Sequence, residues 1–242
     1  MQDGEGQRGV MRLDTQNTPQ YRAAQRLYDA SFADEERAPF GDLWGESLGS
    51  QQPAHTDLWT MQLDTHVIGM VAFGTFADDN VGYLAYLAIS PHAQGRGHGQ
   101  WLFSRVLEEI DRVAFSERGR SPRLCFWEVR DPAEASGEQE RLQRQRRIAF
   151  YERLGAQTLP ITYLCPPIND GQPAVPCLLM VRTNPPGSAI DRSTAREVAL
   201  IGLIKCNHAT HDSDYVRLAL ESIDQHWPVM TVAPSRSFES KQ

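Results

Sequence analysis

The residues with the clearest chemical potential are a run of glycines, Gln94-Gly95-Arg96-Gly97-His98-Gly99, set between an apolar stretch and a helical pattern. Glycines at 95, 97 and 99 present backbone N–H groups with no side chain in the way. A helix starting there adds roughly half a positive charge at its N-terminus, so the turn suits a phosphate or pyrophosphate. Two familiar anion-binding patterns do not fit. A phosphate-binding loop of the form G-x-x-x-x-G-K-[ST] requires a lysine, and none is near. The dinucleotide fingerprint G-x-G-x-x-G fails because its last glycine would fall on Gln100 or Leu102. A second chemical feature is Glu128, a carboxylate within the apolar Phe126-Trp127-Glu128-Val129-Arg130. Desolvation in such a strand raises a carboxyl pKa toward neutrality, which suits a general base. Pairing of a strand-end glutamate with an arginine is the other reading of that residue.

Other reactive side chains carry less. Cys125, Cys165, Cys177 and Cys206 form no C-x-x-C pair and read as buried small hydrophobes. Cys206, His208, His211 and Asp212 match no zinc spacing, so no metal is expected. Basic charge is nearly all arginine, Lys205 and Lys241 being the only lysines.

Those residues need a scaffold, and 242 residues at 40% hydrophobic and 23% charged supply one sizeable α/β domain with a small extension. The net charge of −7 disfavours nucleic acid and mildly favours a cationic amine. No window approaches the ~18 apolar residues of a membrane helix. The stretch Met1 to Glu5 lacks the basic and apolar regions of a secretory signal. The expectation is a cytoplasmic protein without a membrane partner.

Periodicity orders the elements. A short strand at Val10–Leu13 precedes a helix over Thr18–Phe32, in which Tyr21, Ala24, Leu27, Tyr28 and Phe32 fall at helical spacing. A loop with one short helix follows to Gln52. Strands are expected at Leu58–Leu63 and Val67–Phe76 around the turn Asp64-Thr65-His66. In Val81–Ile89, Tyr83, Ala85, Leu87 and Ile89 would share one face and Leu84, Tyr86 and Ala88 the other; a strand apolar on both faces lies mid-sheet. The helix after the glycines buries Leu102, Val106, Ile110 and Val113. A strand at Arg123–Val129, a mobile polar stretch at Asp131–Glu140, and a helix at Arg141–Leu154 closed by Gly155 come next. Two strands, Thr158–Leu164 and Val175–Val181, end the pattern at Asn184-Pro185-Pro186-Gly187. Beyond it, Thr194-Ala195-Arg196-Glu197 has capping-box spacing, and a helix near Asp214–Ile223 completes a helical hairpin. The boundary falls at 184: a domain over 1–184 and a helical extension over 185–242.

What does fit the glycine turn is Q-x-x-G-x-G preceded by Ile89-Ser90-Pro91. The run Leu87 to Gly99 resembles the acetyl-CoA-binding motif of GCN5-related N-acetyltransferases (GNAT). A second block some 50 residues on, Phe150-Tyr151-Glu152-Arg153-Leu154-Gly155-Ala156, resembles that family's FYERLGF segment. Order, spacing and the intervening strand agree, over roughly residues 10 to 183. The resemblance implies a mixed α/β (α+β) fold with a largely antiparallel central sheet flanked by helices, here with the C-terminal helical hairpin added. It implies that amides of Gly95, Arg96, Gly97, His98, Gly99 and Gln100, after Gln94, hold the CoA pyrophosphate. The backbone of Leu87, Ala88 and Ile89 would pair with the pantetheine arm.

The chemistry so implied is acetyl transfer from acetyl-CoA to a primary amine, by direct attack in a ternary complex, with no metal. The attacking ammonium must lose a proton and the departing thiolate is helped by gaining one. By resemblance Tyr151 points at the CoA sulfur and is the acid; a phenol, pKa about 10, stays protonated while a thiol of about 8.5 leaves. Glu128 is the base, its W-x-E-V-R-like strand being similar to that of acetyltransferases acting on protein N-termini. The acceptor pocket is expected from Phe32, Glu35, Glu36, Trp44 and Tyr163, the two glutamates suiting a cation. Relatives often carry an asparagine seven residues before the tyrosine, where this chain has Arg144. Arg141, Arg144, Arg146 and Arg147 read as a solvated basic face. A small amine is the expected acceptor. A protein N-terminus or lysine is the alternative, and a non-catalytic CoA-binding or interaction module is the rival of another class. The hairpin would narrow the acceptor cleft or form a homodimer contact.

Overall fold

Alternating apolar side chains build an antiparallel meander that opens the chain. A computed structural model describes residues 7–43, 55–169 and 171–227. Strands β1 (Arg8–Arg12), β2 (His55–Leu63), β3 (His66–Phe76) and β4 (Val81–Ile89) pair antiparallel in that order. Leu63 faces His66 across a two-residue turn, with Asp64 at φ 53°, a region that Asp enters more readily than most residues. β4 then pairs parallel with β5 (Leu124–Arg130). β5 pairs antiparallel with β8 (Val175–Thr183), against which β6 (Gln157–Thr158) and β7 (Tyr163–Cys165) both lie. The eight-stranded sheet is thus mixed and largely antiparallel, as expected.

Helices cover both faces. On one side, named the acceptor face after the residues expected there, α1 (Pro19–Ser31) lies over β3 and β4, and α4 (Arg192–Leu200) and α5 (Asp214–His226) lie over β5, β7 and β8. On the other, named the donor face after the expected cofactor turn, sit α2 (His98–Arg118) and α3 (Glu138–Arg153). Thr18 caps α1 by accepting from the Tyr21 N–H at 3.1 Å, a bond of the kind that contributes about 1 kcal/mol. The predicted stripe of α2, Leu102, Val106, Ile110 and Val113, is buried, and Gly119 at φ 66° ends the helix. A parallel pair needs a crossover connection, and α2 is that connection between β4 and β5. Among the described residues no helix is long and apolar enough to cross a membrane.

Four local expectations are corrected. Ala72 faces Tyr86 but Phe73 faces Leu84, so Ala85 is an extra residue, a β-bulge in β4. One added residue reverses the alternation: Leu84, Leu87 and Ile89 face the donor side, while Tyr86 and Ala88 face the acceptor side with Tyr83. The cap of α4 is Asp191, whose carboxylate accepts from the Thr194 N–H at 2.7 Å, so the helix begins before the supposed capping box. The strand expected at Thr158–Leu164 is interrupted, because Pro160 has no N–H to give the ladder. The stretch Asp131–Glu140 is tied down: Asp131 accepts from the Ala133 N–H, Glu140 accepts from Ser136, and α3 starts at Glu138.

The hairpin shares its buried cluster with the sheet. Ala195, Val198, Leu203, Val216 and Ile223 pack with Phe126, Leu179 and Val181. Between its helices, Ile201–Cys206 form a π-helical turn, wider than an α-turn by one residue.

Candidate active site

β4 and β5 are paired only from Val81–Tyr83 against Leu124–Phe126. The bulge at Ala85 follows directly and bends β4, so the two strands diverge and a cleft opens between Leu84–Ile89 and Trp127–Arg130. Ser90 donates to Ile68 O at 2.8 Å, which makes Ser90, and by alternation Ala88, face β3. The backbone groups of Leu87 and Ile89 therefore turn to the cleft, whereas Ala88, expected to pair with a cofactor, turns its own to β3.

The glycine turn closes the end of the cleft at Ile89. Gly95 (φ 74°) and Gly97 (φ 76°) occupy the left-handed region, and a Cβ built on either would meet nothing within 4 Å. Conformation, not crowding, demands glycine here, and the space before the turn is open. Gly97 is the N-cap of α2, with no side-chain cap, and the first intrahelical bond runs from Trp101 N to Gly97 O. The N–H groups of Gly99 and Gln100 precede it and point out of the helix end. Gln94 donates to Ile89 O at 2.9 Å and ties the turn to β4. Arg96 and Gln100 are exposed, while the His98 side chain is buried, so His98 can offer this space only its backbone. Gly97→Ala is expected to lower the unfolding free energy by about 1–2 kcal/mol, the cost of a side chain in the left-handed region. Urea denaturation measures it, and an unchanged midpoint would mean that the turn relaxes to another shape.

Glu128 and Tyr151 stand on opposite faces of β5. Tyr151, on α3, packs against Trp127 (ring centroids 4.7 Å apart), Phe150 (5.0 Å) and Phe103 (5.6 Å) on the donor face. Burial pushes its hydroxyl up to about 12, so it stays protonated at neutral pH. Glu128 points to the acceptor face. Its Oε1 accepts from the Tyr163 hydroxyl at 2.5 Å and from Asn207 Nδ2 at 2.7 Å. Burial raises its pKa above the usual carboxylate range, opposed by those two donors and by Cys165. The residue taken whole is part-buried.

The remaining predicted acceptor residues are partly brought together. Phe32 packs on Tyr86 and Tyr28, with the Arg147 guanidinium 5.6 Å from its ring centre. Glu35 and Glu36 are not free anions: each lies 3.5 Å from Arg130, two residues beyond Glu128 on the same face. Burial raises Glu36, and Arg130, Arg147 and Arg144 oppose it. Tyr163 is buried and its hydroxyl donates to Glu128. Trp44 lies outside the described residues. Arg144 is buried, not part of a solvated face; it donates to Asp131 O at 2.6 Å and pairs with Glu140, fastening α3 to the end of β5.

Three participants were absent from the sequence reading: Arg130, Asn207 and Gly202. A Cβ on Gly202 would fall inside van der Waals contact of the Tyr163 hydroxyl and 3.3 Å from Glu128 Oε1. An isolated glycine inside the apolar helical run Leu200-Ile201-Gly202-Leu203 is a signal of close packing that could have found it. Nothing local marks Asn207, 79 residues from its partner. A groove of about 410 Å³ lined by Glu108, Asp111, Pro122 and Arg182 shares no residue with the cleft. Among the described residues no group of His, Cys, Asp and Glu could hold a metal ion.

The model of the acetyltransferase (GNAT) family matches residues 21–156. No curated protein matches the sequence. Among solved structures the chain is similar to a protein of Bacteroides thetaiotaomicron assigned to the GNAT family. The TM-score is 0.62 at 20% identity, over 84% of this chain and 99% of that one. It is also similar to a Desulfovibrio desulfuricans protein of that family, TM-score 0.50 and 20% identity over 73% and 99% of the two chains. A GNAT family acetyltransferase of Elizabethkingia anophelis, with acetyl-CoA bound, matches at TM-score 0.45 and 13% identity over 73% and 97%.

Proposed function

Because the chain belongs to the acetyltransferase (GNAT) family, we propose that it moves an acetyl group from acetyl-CoA to a primary amine of a small molecule, directly, in a ternary complex. The observation that carries this reading is the end of pairing between β4 and β5 beyond Tyr83, with the glycine turn at the end of β4 and with Tyr151 and Glu128 on opposite sides of β5.

The residues present fit acetyl-CoA. The Gly95–Gln100 turn offers N–H groups, an uncapped helix end and open space where a side chain would intrude, which suits a pyrophosphate. The backbone of Leu87 and the N–H of Ile89, whose carbonyl is already held by Gln94, offer a strand edge to the pantetheine amides. Bound there, acetyl-CoA supplies the activated carbonyl. Glu128 takes a proton from the ammonium of the acceptor on one face of β5. Tyr151 supplies one toward the leaving sulfur on the other. Placing the two on opposite faces keeps the proton acceptor beside the attacking nitrogen and the donor beside the leaving group, so neither neutralises the other. An outward amide of Leu87 or Ile89 donates to the carbonyl oxygen as charge develops there.

A slender acceptor is favoured because this face is covered. The hairpin lies over Glu128, and Gln172 from the β7–β8 loop donates to Asp34 O at 3.3 Å, joining that loop to the turn after α1. The Glu35/Glu36–Arg130 pairs balance charge at the mouth, so the overall acidity of the chain is a weak guide to the acceptor. The reading includes a cytoplasmic setting and no metal.

Thiol release from acetyl-CoA, followed with a panel of small amines, amino acids and short peptides, tests the proposal. Stimulation by small amines is expected. Stimulation by peptides alone would transfer the acceptor to protein N-termini or lysines, and no stimulation while CoA still binds would leave a non-catalytic module. In the same assay Tyr151→Phe is expected to lower kcat by about 10²-fold or more, with acetyl-CoA affinity nearly unchanged. An unchanged kcat with chemistry rate-limiting would remove Tyr151 from the acid role.

A further inference from the structure

We propose that the C-terminal hairpin is part of the catalytic apparatus: Asn207, at the end of its π-helical turn, is a positioning residue that fixes the Glu128 carboxylate and tunes its proton affinity. The inference rests on Glu128 being the base, and its test is arranged to fail separately from that reading.

Asn207 commits its side-chain Nδ2 twice, to Glu128 Oε1 at 2.7 Å and to Gly202 O at 2.8 Å. With both N–H groups engaged, the amide cannot rotate, and its direction toward Glu128 is set by the hairpin backbone. The wide turn makes this possible. In Ile201–Cys206 each hydrogen bond closes over one residue more than in an α-helix, and the Asn207 N–H returns in this way to Gly202 O, at 3.0 Å. Gly202 lets that backbone lie against the Tyr163 hydroxyl and Glu128, where any Cβ would collide. The hairpin is therefore shaped around the carboxylate and does more than cover the sheet.

The two donors converge on one oxygen. Tyr163 and Asn207 both bond Oε1, and among the described residues no nitrogen or oxygen donates to Oε2. Oε1 is thereby an anchor fixed by one donor from β7 and one from the hairpin, and the Cys165 thiol also hydrogen-bonds the carboxylate.

The titratable groups facing Glu128 are Tyr83 and Tyr86 from β4, Tyr163 and Cys165 from β7, and Cys206 from the hairpin. All are raised above their ordinary values, Cys165 first by its hydrogen bond with Cys177 and the others first by burial, and so stay neutral at physiological pH; no cation is among them. Burial raises Glu128, and Tyr163 and Asn207 are the first two groups that hold it down. Without the Asn207 donor the carboxylate loses stabilisation and its titration must move upward.

The test follows the Glu128 side-chain carboxyl by carbon NMR through a pH titration of the full chain, its signal identified by its loss in Glu128→Gln. In Asn207→Leu, similar in shape but without a donor, the midpoint is expected to rise by about one unit or more, the size of a hydrogen bond to a charged group. Tyr163→Phe is expected to shift it in the same direction. Where Asn207→Leu unfolds, Asn207→Ser reads the same shift in a milder form. A midpoint unmoved in a folded Asn207 variant, while Tyr163→Phe does move it, overturns the role of the hairpin. The acidic limb of kcat/KM, measured with an amine that stimulates thiol release, is expected to rise with the NMR midpoint. If Glu128→Gln retains full transfer, the base reading fails, whatever the NMR shows.

Discussion

Glu128→Gln is expected to lower kcat/KM for acetyl transfer by about 10²–10⁴-fold, the contribution typical of a general base, while leaving the fold intact. The glutamine Oε1 can accept from both the Tyr163 hydroxyl and Asn207, so the local hydrogen bonds survive. What disappears is a buried group whose pKa is raised above the unfolded value. The sign for stability follows. An acid whose folded pKa is raised binds its proton more tightly when folded. Its contribution is complete below the unfolded pKa and is lost as pH rises through the folded one. Wild type should therefore lose stability with rising pH across that window, and Glu128→Gln should flatten the loss. Thermal unfolding of both proteins across the pH range, beside the thiol-release assay, measures the two effects. A variant with full activity would remove Glu128 from the base role. A variant with the same pH dependence of unfolding would mean that the folded and unfolded pKa values do not differ.

Gly202→Ala is expected to destabilise the protein by about 1–3 kcal/mol, the cost of overpacking a filled interior. The new methyl meets the Tyr163 hydroxyl, and Tyr163 is buried in β7 while the opposing wall is the backbone of the π-helical turn. Neither is the free end of a flexible side chain, so the strain must displace the hairpin or Tyr163. Both displacements disturb the bonds to Glu128, and activity should fall by more than the loss of folded protein explains. Gly9→Ala in β1, where a Cβ would meet nothing within 4 Å, is the control. Equal urea midpoints for the two variants would show that the close approach at Gly202 is relaxed in solution.

How much of this was legible beforehand depended on the range of the interactions. The strands β2, β3 and β4, the turn at Asp64 and the buried stripe of α2 follow from periodicity, because each side chain's face is set by its neighbours in the chain. The bulge at Ala85 was not legible. Every residue from Val81 to Ile89 except Gly82 is a plausible strand residue, and only the pairing with β3 reveals that one is extra. That extra residue decides which side chains of β4 face donor and acceptor and where the cleft begins. The false capping box at Thr194 has the same origin: Asp191 and Thr194 both carry acceptors, and the residue chosen depends on where the chain leaves the sheet.

The sequence by itself determined the proposed donor half of the site. The turn at Gln94–Gly99, the proposed pyrophosphate site, presents backbone amides, and glycine spacing dictates their arrangement within a few residues, so local chemistry suffices. Tyr151 and Glu128 were legible as residue types in characteristic segments. Only the tertiary structure decided what surrounds them. It sets Glu35 and Glu36 against Arg130, about a hundred positions along the chain. It buries Arg144 as a strut for α3, and it brings Tyr163, Gly202 and Asn207 around one carboxylate. The physical reason is the short reach of hydrogen bonds and ion pairs. A carboxylate's proton affinity depends on donors within about 3 Å and on the water excluded around it. Residues far apart in sequence reach that distance only when the sheet and the helices on its face have packed.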